Sequence, residues 1–165
     1  MQEPWRQRAF TVVEIATAVA LLAIFLALAI PAIDNAMRSN RVAAQANELH
    51  SMLLMARSEA VRRRAEVSVI FTQADNGWQA RIPDPDDEAQ SLRAADFSGS
   101  PVGLNASQTV VYDRIGRASF SGGGSAFSFF LEHHDCSHHR QRREIRVRPS
   151  GRAQINPDPE SLECT

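Results

Sequence analysis

Apolar and polar positions divide this chain into three regimes. From Phe10 to Ile33 apolar residues run almost unbroken, with a single carboxylate, Glu14, near the start and Pro31 near the end. About 20 such residues at 1.5 Å each span the hydrocarbon core of a bilayer, so the run is long enough to cross a membrane as a helix. From Ala32 to about Arg64 the spacing becomes helical. Val42, Ala46, Leu49, Leu53, Ala56 and Ala60 recur at alternating intervals of four and three and define one apolar face. Arg38, Arg41, Gln45, Glu48 and Glu59 fall largely elsewhere and predict a solvated back, with Glu59 placed four residues before Arg63. One long helix is therefore expected, bent near Pro31 because proline removes a backbone donor and crowds the preceding turn. The run Arg62-Arg63-Arg64 at its end suits the helix dipole.

Beyond Glu66 the period drops to two. Glu66 to Phe71 and Trp78 to Ile82 read as strands, joined by the hairpin signal Asp75-Asn76-Gly77. Pro83 to Glu88 reads as an acidic surface loop without the spacing of a calcium site. Thr109 to Asp113, Ala118 to Ser121, Ala126 to Glu132, Glu144 to Arg148 and Ala153 to Ile155 alternate as further strands, with turns at Gly122-Gly123-Gly124 and Pro149-Ser150-Gly151. A helix followed by short strands predicts an α+β domain: a long N-terminal helix packed against a C-terminal antiparallel region, in two sheets.

Composition changes this picture little. A formal net charge of −1 over 165 residues singles out no partner. All 18 basic residues are arginine, which genomic base composition explains. The distribution of charge says more. Arg6 and Arg8 before the apolar run place that side in the cytoplasm and the remainder outside it. Inside a membrane helix Glu14 costs roughly 2.5–3.5 kcal/mol and so needs a partner, either a free amine at Phe10 one turn away or that of a neighbouring subunit. A plain membrane anchor would not need Glu14. A secretory signal peptide cut after Ala27-Leu28-Ala29 would have an over-long apolar region carrying a charge.

The block Ala9-Phe10-Thr11-Val12-Val13-Glu14 with its apolar helix resembles the class III signal of type IV pilins and type II secretion pseudopilins. The resemblance implies a leader peptide at 1–9, removed by a prepilin peptidase between Ala9 and Phe10, with methylation of the new amine. A transmembrane and assembly helix at 10–33 and a head domain at 34–165 follow. Glu14 is then the assembly carboxylate and Pro31 the helix-kinking proline; Ala9 stands where the family usually has Gly. Asn40-Arg41-Val42 with Ala56-Arg57-Ser58-Glu59-Ala60, Asp113-Arg114-Ile115-Gly116-Arg117-Ala118 and Arg148-Pro149-Ser150-Gly151-Arg152 resemble the GspH/FimT-like minor pilins within that superfamily. The implied partners are other major and minor pilins or pseudopilins, the prepilin peptidase and the bacterial inner membrane. The implied locations are that membrane, with a periplasmic head, and then a pilus or pseudopilus.

Cys136 and Cys164 are the only cysteines, and in an extracytoplasmic domain they are expected to form a disulfide, two buried thiols being the alternative. His133, His134, Asp135, Cys136, His138 and His139 lie in one polar segment that lacks the fixed spacing of a structural zinc site, so no metal or other cofactor is expected. No nucleophile elbow, HExxH or P-loop is present, and no enzyme is expected. Arg140, Arg142, Arg143, Arg146, Arg148 and Arg152 form the sharper signal, with Glu144 the only acid among them. On a strand Arg142, Arg146 and Arg148 would share a face and could engage several phosphates, making DNA the candidate partner; a solvated, arginine-rich strand edge is the alternative. FimT-like pilins bind DNA through arginines near a Gly-Arg-x-Arg motif, which this chain matches at Gly151-Arg152 and departs from at Gln154.

Overall fold

The computed structural model describes residues 11–124, 126–136 and 141–157. Its longest element is α1, Val12–Arg63, which continues through Pro31 without interruption. Thr11 opens it: the Glu14 amide donates to Thr11 Oγ1 at 3.2 Å, satisfying one of the orphan donors of the first turn. Arg64 closes it in the left-handed region, φ 54°, where the Ala65 amide turns back to the Ala60 carbonyl.

The chain divides into two units, Met1–Met37 and Arg38–Thr165. In the first, every described large apolar side chain from Val12 to Ile33 is more than half exposed. Among the described residues nothing buries this apolar surface, as expected of a segment that faces lipid or other subunits.

The second unit holds the whole core. β1 (Val67–Gln73), β2 (Trp78–Asp84), β3 (Asp87–Asp96), β5 (Gln108–Tyr112) and β6 (Ala118–Phe120) form a sheet of order β3-β2-β1-β5-β6. β4 (Val102–Leu104), β7 (Phe127–His133), β8 (Arg142–Val147) and β9 (Ala153–Asn156) form a second, β4-β7-β8-β9, and every pairing is antiparallel. Alternation directs Val67, Val69 and Phe71 of β1 and Ile145 and Val147 of β8 inward, where they meet the α1 stripe. Phe71 and Phe129, at 4.7 Å between centroids, join the sheets; truncating either to Ala should cost about 3–5 kcal/mol.

All six predicted stripe residues of α1 are buried, and Met52 joins them. Gln45 departs from the expected solvated back. It is buried because its carboxamide accepts from the Trp78 indole (2.7 Å) and donates to Ser100 (2.7 Å), which offsets its desolvation. The segment Pro83 to Glu88 is not a free loop. β2 runs to Asp84 and β3 starts at Asp87, so only Pro85 and Asp86 turn the chain. Arg63 secures that turn, pairing with Asp84 at 2.9 Å, with Asp86 at 2.7 Å and with Glu59 at 2.9 Å. β3 and β4 themselves were not expected from the sequence pattern.

Candidate functional site

The expected processing and assembly residues lie at the amino-terminal end. Ala9 and Phe10 fall outside the described residues, and Glu14 sits exposed in the first turn of α1. Of the expected disulfide, Cys136 follows β7 and Cys164 lies outside the described residues, as does Arg140.

The remaining arginines do not form one patch. β8 does extend back to Arg142, so Arg142, Glu144 and Arg146 share its outer face, but each cation has a carboxylate. The strand register brings Glu132 of β7 opposite Arg142, and Nε lies 3.3 Å from Oε2. Arg142 is largely buried, its guanidinium 5.0 Å above the Phe130 ring. Arg146 donates twice to Glu144 Oε1, at 3.1 and 2.8 Å, and Ser128 donates to the same oxygen at 2.7 Å. Burial opposes the charge on Glu144, but the bonds from Ser128 and Arg146 prevail and hold the carboxyl below its ordinary value. Arg143 alternates with these residues, on the side of Ile145 and Val147, and donates to the Arg142 carbonyl at 2.8 Å. Arg148 lies past the strand end and is exposed, as is Arg152. The expectation of a shared face for Arg142, Arg146 and Arg148 is therefore corrected: Arg142 is neutralised across strands by Glu132, Arg146 along its own strand by Glu144, and Arg148 belongs to a turn.

That turn is one of two locked together. The β5–β6 turn, Asp113 to Arg117, is closed by Gly116 N–H to the Asp113 carbonyl (2.8 Å), and Asp113 Oδ1 accepts from the Ile115 and Arg117 amides at 3.0 and 2.8 Å. The β8–β9 turn, Arg148 to Arg152, is closed by Gly151 N–H to the Arg148 carbonyl at 2.8 Å. Between the turns, Ala118 N–H donates to the Pro149 carbonyl at 3.0 Å. Arg57 of α1 reaches both, donating from Nε to the Gly116 carbonyl (3.1 Å) and from Nη2 to that of Ser150 (3.2 Å). Gly151 is required here: φ is 77°, and a Cβ would stand 1.8 Å from the Gly116 carbonyl oxygen. Arg57 and the two turn segments, all within the stretches that carry the sequence resemblance, are thus one piece of structure.

Arg114, Arg117, Arg148 and Arg152 project from these turns, all exposed, and among the described residues their side chains make no hydrogen bond or ion pair. The one acid in the turns, Asp113, is occupied by amides. Arg57, Arg114 and Arg117 were not singled out for charge in the sequence, although the motif segments containing them were.

His133 ends β7 almost fully buried, and its Nδ1 accepts from the Asp135 amide at 3.1 Å. Burial, then the nearby Arg38 charge, pushes its pKa below the ordinary value. Among the described residues no three His, Cys, Asp or Glu side chains converge as a metal site, and His138 and His139 lie outside them. A cavity of about 440 Å³ beside β4 includes Glu132, His133, His134 and Arg142 but no described hydroxyl or thiol side chain.

The model of the type II transport protein GspH family matches residues 45–151, which contain Arg57, the β5–β6 turn and the β8–β9 turn as far as Gly151. The chain belongs to that family. As a GspH-family protein it falls in the pilin and pseudopilin superfamily, whose members assemble with one another into filaments. Two crystal forms of the type IV minor pilin FimU from Pseudomonas aeruginosa (strain PAO1) share the fold, each at 23% identity. Their TM-scores are 0.57 and 0.54, covering 74% and 72% of this chain and 95% and 97% of theirs. No curated protein matches the chain.

Proposed function

We propose that this GspH-family chain is a minor type IV pilin of the FimT-like branch, a structural and assembly subunit rather than an enzyme. The observation that carries the reading is the pairing of a GspH-family head with an apolar helix holding one carboxylate in its first turn. In this reading the prepilin peptidase cuts between Ala9 and Phe10. The chain waits in the bacterial inner membrane with its head in the periplasm and then joins other major and minor pilins. Glu14 sets subunit register by meeting the amine of a neighbour, which relieves a cost of roughly 2.5–3.5 kcal/mol for an unpaired charge in the membrane. Glu14→Ala should leave cleavage intact, read from the mass of the mature protein, while abolishing recovery in sheared pili. Normal incorporation of that variant would overturn the assembly role.

A DNA-contact role in uptake is the finer part of the proposal. Its support is the exposed pair Arg148 and Arg152 and the Gly151-Arg152 half of the family motif. The alternative is an H-type minor pseudopilin of a type II secretion system, favoured by the match to the type II transport protein GspH family. Deleting the protein should abolish transformation or piliation in the first case and protein secretion in the second. The Cys136–Cys164 disulfide belongs to the same extracytoplasmic reading. It would close a loop worth roughly 3–4 kcal/mol, and thiol alkylation of the unreduced protein checks it.

A further inference from the structure

We propose that the β5–β6 and β8–β9 turns form a single phosphate-binding surface, in which Arg114 and Arg117 act beside Arg148 and Arg152 and Arg57 is the positioning residue. The ligand class, a sugar–phosphate backbone, rests on the DNA reading above; Arg57, Arg114 and Arg117 are not part of that reading.

The geometry carries the inference in three steps. First, the turns are not independent loops. Ala118 N–H on Pro149 O, the close approach of Gly151 to the Gly116 carbonyl, and the two donations from Arg57 hold them in one register. Second, the turns so joined carry four exposed guanidinium groups with no partner among the described residues, while the one carboxylate within the turns, Asp113, is turned onto amides. Cations held on a rigid base avoid part of the ordering cost that flexible loops incur on binding. Third, neither turn contains an aromatic residue, so base stacking has no platform and recognition falls on the backbone, indifferent to sequence. Arg57 suits positioning because one planar guanidinium serves two carbonyls at once. A lysine ammonium keeps the charge but lacks that fork.

The test uses the full-length chain in neutral detergent and a fluorescent DNA duplex of arbitrary sequence, with affinity followed as salt is raised. Arg114→Gln with Arg117→Gln should make the slope of log K against log salt shallower by about 1.8, two contacts at roughly 0.9 each. Arg57→Lys should weaken binding about tenfold at fixed salt, with the slope changed by less than one contact, as lost pre-organisation requires. Because Arg114 and Arg117 are exposed, that double variant tests the surface even if Arg57→Lys perturbs folding. If the parent binds but the Arg114/Arg117 variant keeps its slope, the joint surface is refuted and the DNA reading survives. If the parent does not bind at low salt, the DNA reading itself falls.

Discussion

Arg142 and Arg146 on the outer face of β8 and Arg148 and Arg152 at its far end are near neighbours in sequence, yet they occupy different electrostatic worlds. The first pair faces carboxylates placed by strand geometry: Glu132 stands opposite Arg142 through the β7–β8 register, and Glu144 lies two residues before Arg146. The second pair sits on a turn whose backbone satisfies itself and which contains no acid, while Asp113 of the adjoining turn accepts from amides. Arginine density along a chain therefore says little about positive surface. What matters is which arginines the sheet register leaves without an acid.

The comparison can be broken most strongly at the base of the turns. Gly151→Ala places a Cβ against the Gly116 carbonyl and forces an unfavourable φ, so it should lower stability by more than about 2 kcal/mol in urea unfolding and separate the turns. On the strand face, Glu132→Ala removes the partner of a largely buried guanidinium; a loss of about 2 kcal/mol is expected, with little change in DNA affinity. Glu144→Gln sharpens the contrast by releasing Arg146. It should cost about 1 kcal/mol of stability and steepen the salt dependence of DNA binding by roughly 0.9. Because the Glu144 carboxyl is held below its ordinary value, its contribution is present above pH 4.5 and fades as pH falls through the folded-state value; acid titration of the variant should lack that component. The smallest effect belongs to His133. With its pKa pushed below 6.5, stability should hold above that pH and fall beneath it, by at most about 1.4 kcal/mol per pH unit, until the folded-state value is passed. His133→Asn should flatten this slope in thermal melts.

The sequence pattern showed the long helix, its buried stripe, the Asp75–Gly77 hairpin and most strands, because each rests on local periodicity. It did not show β3, whose Asp87-Glu88-Ala89-Gln90-Ser91 start has weak strand propensity and is held in the sheet by pairing with β2. It did not show β4, three residues long and paired only with β7. Gln45 looked solvent-facing because nothing in the sequence announces that Trp78 would need its carbonyl. The candidate site followed the same rule. Arg148 and Arg152 were visible as charges, but the neutralisation of Arg142 depends on a residue ten positions upstream, and the convergence of Arg57 with both turns depends on long-range packing.

The most direct measurement compares two double variants in the same salt titration of DNA binding: Arg148→Gln with Arg152→Gln, and Arg142→Gln with Arg146→Gln. The turn variant should lose about 1.8 from the slope of log K against log salt, while the strand-face variant should match the parent. Equal losses in both, or a loss only in the strand-face variant, would contradict the division of these arginines into exposed and neutralised sets.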